Sequence, residues 1–480
     1  MSSVKEPVMH RFGNGLTVLI KEDKSHPVVS LQYWVGTGSM NEGHLQGSGI
    51  SHLLEHLVFK GTENYSGQDL ARKVQERGGH WNAYTSVNRT VFYIDGPAES
   101  WQVFLNLLTE LVFSPTFPEG ELEREKEVVR REMAMYADEP DSVAYQLLMQ
   151  TLYLKPPRRW PVLGQPAVFD TLTREDVLEY HASRYVPNNV VLSIAGDVDA
   201  REVLSHLELL VEDLKARPLN REPLPHEPHQ FGSRTVRKEF AVPYSKLSLA
   251  WRLPCSAHPD TPALSALASI LGGGRSARFY EKFHDRLGLV YSIEVHSNQS
   301  ESDEGAFTIT MDVDRAQRDK VRDLVLQELR DLEREDFTED LKRVCKQTRV
   351  SRLSRKSSAS GMASEMGADW FGARNLNLSS EWQEAIERVT SEDLHRVCAG
   401  WLSSPNVTEV SLDPLGSNAE EVPSGSEKTD TVLSELVLSN GLKVVVREDH
   451  RLPLAHVCLV FKAGCPAENE QNAGVTDLMS

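Results

Sequence analysis

Hydrophobic and polar positions alternate with two different periods along the chain. Near the start, "LTVLIKE" and "VVSLQYWV" are rich in β-branched and aromatic residues, and Asn14-Gly15 stands just before the first of them. Asn-Gly beside such a run is a strong turn signal, so a hairpin built on these two segments is expected to open the fold. A helical period follows at about 49–60 and 67–78, where apolar residues recur every three to four positions. Two further strands are expected in "HWNAYTS" and "RTVFYIDG", split by a short polar turn. Longer helices are expected at about 98–113 and 119–137. Hairpins beside helices predict an α+β class with a mostly antiparallel sheet.

The pattern then repeats. "FGNGLTVLIKEDKSHPVVSLQYWVGTGSMNE" (12–42) aligns with "LSNGLKVVVREDHRLPLAHVCLVFKAGCPAE" (438–468), setting Asn14-Gly15 on Asn440-Gly441, Pro27 on Pro453 and Gly38 on Gly464. With one residue deleted, "SGISHLL" lies on "AGVTDLM", and His52 falls opposite Asp477. At half that offset, "TREDVLEYHASRYVPNNVVLSIAGD" from Thr173 matches "TSEDLHRVCAGWLSSPNVTEVSLD" from Thr390. Each reads as a capped helix, then Pro-Asn, then an apolar strand. Commensurate offsets predict tandem repeated units. The first spans 1–220 and the second 232–415, and 433–480 is the truncated start of a third. The Pro-rich polar stretches 216–234 and 414–430 read as linkers, with 416–432 assigned to the second. The expectation is an active half followed by the opening of another half that Asp477 would leave without a ligand.

Composition narrows the class. At 480 residues the chain exceeds one ordinary core, and 40% hydrophobic with 25% charged residues is usual for a globular protein. No apolar run is long enough to span a membrane, and the N-terminus lacks a signal-peptide core, so a cytoplasmic location is expected. Cys255, Cys345, Cys398, Cys458 and Cys465 are odd in number and scattered, suggesting neither a disulfide framework nor a thiolate cluster. A net charge of −18 opposes nucleic-acid phosphates, so no nucleic-acid partner is expected.

Candidate chemistry concentrates in "GISHLLEHLVFKGT", residues 49–62. On a helix, His52 and His56 are one turn apart and can reach one ion, and Glu55 borders the same face. Leu53, Leu54, Leu57 and Val58 predict burial, and buried imidazoles need partners. A catalytic zinc takes three protein ligands and keeps an open position. "EREKEVVRREMAMY" supplies candidates, because Glu125 and Glu132 lie two turns apart with Val128 between them on one face. The same periodicity also suits a solvated charged helix. A structural zinc site would need a fourth protein ligand, and the sequence shows none.

"HLLEHLVFKGT", "GGHWNAYTS" and "EREKEVVRREM", in this order, resemble the inverted-zincin metallopeptidases with their H-x-x-E-H signature. This is the pitrilysin, insulinase and mitochondrial processing peptidase family, and the resemblance covers essentially the whole chain. It implies processing-peptidase-like units, four of which make the two halves of a clamshell. It implies that His52, His56 and Glu132 bind one Zn2+ per active unit and that Glu125 orients a histidine ligand. Glu55 would be the general base on a zinc-bound water. The implied function is a zinc-dependent endopeptidase acting on peptides or unfolded polypeptide segments. Its substrate would add to the edge of "HWNAYTS", with Asn82 and Ala83 flanking the scissile bond.

In the second unit, "LGGGRSARFYEKFHDRLGLVYSIEV" (271–295) is similar to the family's second-domain motif. Tyr291 matches a tyrosine that helps hold substrate. The position where relatives carry an arginine holds His284, with Arg286 close behind, so either is a candidate for that role. The run Gly272-Gly273-Gly274 lacks a following Gly-Lys-Ser/Thr and reads as a helix end with a tight turn. The resemblance also implies a partner, either the missing C-terminal half or a second chain. The alternative is a catalytically silent member that binds peptides or scaffolds a partner. The full set His52, Glu55, His56 and Glu132 speaks for the enzyme.

Overall fold

The computed structural model describes residues 6–219, 223–299, 304–402, 405–416 and 433–447. In the first half, strands β1 (Val8–Arg11), β2 (Thr17–Glu22), β3 (Val28–Val35), β4 (His80–Thr85), β5 (Thr90–Pro97) and β6 (Val190–Gly196) form one sheet. Their order is β1-β2-β6-β3-β5-β4. The hairpin expected between "LTVLIKE" and "VVSLQYWV" is not formed. Asn14-Gly15 instead turns β1 into β2, with the Leu16 N–H donating to Asn14 Oδ1 (3.1 Å) and Gly15 at φ +92°. Strand β6 enters between β2 and β3, parallel to the first and antiparallel to the second. Every residue of β6 is buried, and a strand buried on both faces belongs in the middle of a sheet.

The second half builds a sheet from β7 (Arg234–Phe240), β8 (Ser245–Leu253), β9 (Val290–Asn298), β10 (Gly305–Val313) and β11 (Thr408–Pro414), in the order β7-β11-β8-β10-β9. This repeats the first sheet without β1. Strand β11 lies parallel to β7 and antiparallel to β8, as β6 lies between β2 and β3. All other neighbouring pairs in both sheets are antiparallel, in keeping with the α+β class.

The helices are α1 (Ile50–Val58), α2 (Gly67–Gln75), α3 (Trp101–Phe113), α4 (Glu119–Asp138), α5 (Pro140–Leu152), α6 (Pro166–Phe169), α7 (Arg174–Arg184) and α8 (Ala200–Val211), then α9 (Thr261–Gly272), α10 (Arg318–Asp331), α11 (Thr338–Arg355), α12 (Ala359–Ala373), α13 (Leu378–Glu387) and α14 (Ser391–Val397). Helices α7 and α14 open with matching capping boxes, Thr173 with Asp176 and Thr390 with Asp393. The glycine run ends α9, with Gly273 at the cap and Gly274 at φ +103°.

One face of each sheet packs on helices of its own half. Helices α1, α3, α7 and α8 fill the first core, and α9, α10 and α14 the second. The opposite faces are covered by exchange. From α5, Leu148, Met149 and Leu152 pack on Ala250, Ala306 and Val410 of the second sheet. From α12, Ala363 and Met366 pack on Leu19, Trp34, Val91, Val191 and Ala195 of the first. Polar contacts fix both exchanges. The Arg234 guanidinium donates to the carbonyls of Thr151 (2.9 Å) and Leu152 (2.8 Å) at the end of α5. Ser193 Oγ donates to the Ala363 carbonyl at 2.7 Å. Residues 1–417 accordingly form one compact unit.

Residues 418–480 form a second unit, of which β12 (Leu433–Val437) and β13 (Lys443–Arg447) are described as an antiparallel hairpin. Its turn repeats that of β1–β2, with the Leu442 N–H donating to Asn440 Oδ1 (3.1 Å) and Gly441 at φ +84°. Asp477, Cys458, Cys465 and linker residues 417–432 lie outside the described residues. Among the described residues no helix is long and apolar enough to cross a membrane.

Candidate active site

Helix α1 buries Leu53, Leu54 and Leu57 and turns its two histidines toward α4. The imidazole centroids of His52 and His56 are 4.7 Å apart. Glu132, from α4, sets Oε2 at 3.8 Å from His52 Nε2 and at 3.8 Å from His56 Nε2. One donor atom from each of the three lies within 4.8 Å of the others. Val128 does not share this face as expected and is 44% exposed. The buried face of α4 is centred on Leu122, Glu125 and Val129. Glu132 lies at its margin, and the helical twist carries Val128 one step further out.

Glu125 stands behind His56. Its Oε2 is 3.3 Å from His56 Nδ1, and its Oε1 is 2.6 Å from Lys60 Nζ. A proton on Nδ1 donated to Glu125 leaves the Nε2 lone pair facing Glu132. Glu55 receives a hydrogen bond from Thr85 Oγ1 at 2.5 Å, from the last residue of β4. Sequence reasoning passed over Lys60 and Thr85 as site residues. Lys60 is one turn beyond His56, and Thr85 shares a β4 face with Trp81 and Ala83, so spacing alone held both signals.

Burial dominates the electrostatics. It lowers the His52 pKa to about 3, with His56 adding to the effect. Burial also opposes a charge on His56, but its hydrogen bond to Glu125 and the carboxylates around it win, and its pKa is raised. Glu55 is pushed up by burial, which the Thr85 hydrogen bond only partly offsets. Burial would raise Glu125 too, yet His56 and Lys60 hold it below the usual glutamate range.

Two imidazole nitrogens and a carboxylate oxygen are a donor set suited to zinc, and metal ligands must be deprotonated, as burial keeps His52. Ligand atoms on a tetrahedral zinc with bonds of about 2.1 Å stand about 3.4 Å apart. Glu132 stands 3.8 Å from each imidazole and all three donor atoms lie within 4.8 Å of one another, so the residues fit the ion after a contraction of about 1 Å.

Strand β4 pairs with β5 on one side and has its other edge free within the sheet. Asn82 and Ala83 lie in its middle, where the Ala83 N–H donates to Asn82 Oδ1 at 2.8 Å. A cavity of about 590 Å³ opens beside His52, Thr85 and Glu132, with walls that include Met133, Tyr136, Tyr145 and Trp160. Tyr291, His284 and Arg286 are not in its walls. Tyr291, on edge strand β9, is 59% exposed and packs on Tyr244 with ring centroids 5.3 Å apart. His284 Nδ1 bonds Asp285 at 2.7 Å, and Arg286 pairs with Glu281 at 3.2 Å. Both candidates for the arginine role are thus held by local acids.

A histidine pair and a glutamate on one helix, a further glutamate on a neighbouring helix and a free strand edge beside them are thus gathered on a duplicated α+β fold. Residues 17–164 match the family model described as Insulinase (Peptidase family M16), and residues 171–347 match that described as Peptidase M16 inactive domain. The chain belongs to this insulinase family. His52, Glu55, His56 and Glu132 all fall in the first match. The chain is similar to an uncharacterized zinc protease of Rickettsia felis, 27% identical over 391 residues that cover 79% of this chain and 91% of the relative. The zinc protease YmxG of Bacillus subtilis, also uncharacterized, is 28% identical over 328 residues, 68% of this chain and 78% of that one. A solved protease structure from Helicobacter pylori superposes with a TM-score of 0.79 at 26% identity, covering 85% of this chain and 100% of that chain.

Proposed function

We propose that the chain is a zinc-dependent endopeptidase that cleaves peptides or unfolded polypeptide segments. The observation that carries this reading is the convergence of His52 Nε2, His56 Nε2 and Glu132 Oε2 at the helix that also carries the half-buried Glu55. These three residues would hold Zn2+, which supplies a polarised carbonyl and a water of lowered pKa. Glu55 takes a proton from the attacking water and delivers it to the leaving amine. Burial suits it to this work, because a general base is most effective with a pKa near the working pH. Thr85 fixes the carboxylate's orientation, and Glu125 fixes that of His56.

An extended peptide adds to the free edge of β4 by backbone hydrogen bonds, displacing the Asn82 side chain from the Ala83 N–H. This mode needs an unfolded segment and reads extension more than sequence. The β12–β13 hairpin repeats the turn of β1–β2, which supports a further copy of the same kind of unit as a partner.

The test is cleavage of a quenched, unstructured peptide mixture by zinc-loaded protein, with Glu55→Gln alongside. The wild type cuts, and the variant keeps its zinc while losing about 10²- to 10⁴-fold in kcat. Zinc-loaded protein that stays silent would overturn the peptidase reading and leave that of a peptide-binding or scaffold subunit.

A further inference from the structure

We propose that Glu42 is a positioning residue of the metal helix, whose buried carboxylate sets where α1 begins and so where His52 and His56 stand relative to Glu132. The proposal rests on the reading of those three residues as zinc ligands. Glu42 is 2% exposed. Its Oε2 accepts the N–H groups of Gly47 (3.2 Å) and Gly49 (3.3 Å), and its Oε1 accepts that of Ser51 (3.2 Å).

The first N–H groups of a helix have no partner within it. A side chain at the N-cap usually supplies one, but the N-cap of α1 is Gly49, at φ +72°. Close packing explains the glycine. A Cβ at Gly49 would meet the Leu163 carbonyl oxygen at 2.1 Å, and one at Gly164 would meet the Ser48 backbone at 2.5 Å. The Gln165 N–H donates to the Gly47 carbonyl at 2.7 Å, holding the two segments together. With no side chain possible at the N-cap itself, the acceptor for Gly49 and Ser51 comes from Glu42, one loop earlier. Ser48 Oγ takes the Ile50 N–H (3.2 Å), and the Tyr180 hydroxyl bonds both Ser51 Oγ (2.8 Å) and Thr37 Oγ1 (2.6 Å).

The charge matters as well as the geometry. His52 stands in the first turn of α1, near the positive end of the helix dipole, which disfavours a cation beside it. A carboxylate at that end offsets the dipole. Burial pushes the Glu42 carboxyl up to about 7 against the pull of the amides, so the full charge is present only above neutral pH. A glutamine could not close the same loop, because its NH2 would face an N–H group where a carboxylate oxygen now accepts.

The test compares zinc affinity, by competition with a chelator, in the full-length wild type, Glu42→Gln and Glu42→Asp. Asp199→Ala serves as the control, because it removes the N-cap of α8, a helix that carries no site residue. All four are measured well below their melting temperatures. Glu42→Gln should weaken zinc binding about tenfold. Glu42→Asp, which keeps the charge on a shorter arm, should lose less, and it carries the test if the glutamine variant does not fold. Asp199→Ala should lower Tm and leave zinc affinity unchanged. Unchanged affinity in the Glu42 variants, or a loss no larger than that of Asp199→Ala, would reduce Glu42 to a structural cap and overturn the proposal. A wild type that binds no zinc in the same titration would overturn the peptidase reading itself, and this proposal with it.

Discussion

His56 Nδ1 and Glu125 Oε2 stand 3.3 Å apart, and the other oxygen of that carboxylate meets Lys60 Nζ at 2.6 Å. The three residues form a chain that grips the imidazole from behind and leaves its Nε2 toward Glu132. Breaking the link frees the ring to rotate and removes the anion that favours a proton on Nδ1. Glu125→Gln is therefore expected to weaken zinc affinity about 10- to 100-fold, read by chelator competition. Affinity equal to wild type would show that α1 packing alone orients His56.

Thr85 reaches Glu55 from the end of the strand on which substrate is proposed to dock. Thr85→Val keeps the shape and deletes the hydroxyl. A hydrogen bond to a charged group is worth about 1.5–3 kcal/mol, so kcat should fall about tenfold or more. KM and zinc content should hold, and Thr85→Ser should recover the rate. A change confined to KM would place Thr85 in substrate binding instead.

His181 gives a pH signature away from α1. It is half-buried, bonds the Val112 carbonyl through Nε2 at 2.9 Å and stacks on Tyr185. Burial lowers its pKa to about 4, against 6.5 for the free side chain. The folded state resists protonation, so its contribution to stability is complete above the unfolded value and is lost as pH falls toward 4. Linkage gives a loss of about 2 kcal/mol between pH 7.5 and pH 5. Denaturant melts of wild type and His181→Gln at both pH values should show a smaller acid loss in the variant. Parallel losses would assign the acid sensitivity to other groups.

Gly367 lies where α12 crosses the first sheet, and a Cβ there would fall 2.3 Å from the Trp34 ring. Gly367→Ala should cost about 1–3 kcal/mol by overpacking. Because each half is covered by a helix of the other, thermal unfolding of residues 1–417 should stay a single transition at a lower Tm. Two separated transitions in calorimetry would show that the halves melt independently.

The elements of the site were legible in the sequence because each rests on a local period. The i, i+4 histidines, the apolar face of α1 and the alternation of β4 needed no knowledge of distant residues. Neighbours in space were not legible in the same way. The mispaired opening hairpin shows why, since the strand that parts β2 from β3 is supplied by residues 190–196, far along the chain. Val128 was misplaced because a helical period fixes relative angles but not the centre of the buried face. The roles of Glu42 and Thr85 depend on loops brought together only in the fold. Motif order could not reveal that Asp285 and Glu281 engage the two candidates for the missing arginine.

The crossed helices also bear on the order in which the protein comes off the ribosome. When the first 220 residues have emerged, Leu19, Trp34, Val91 and Val191 form an oily plate whose cover, residues 359–373, has yet to be translated. The nascent chain must shield that plate through the synthesis of more than a hundred further residues. Contacts so distant in sequence form slowly, and exposed apolar surface invites aggregation meanwhile. Maturation of the first half therefore waits on the last third of the polypeptide, and a stop codon placed between the halves would leave one sticky fragment rather than a smaller protein.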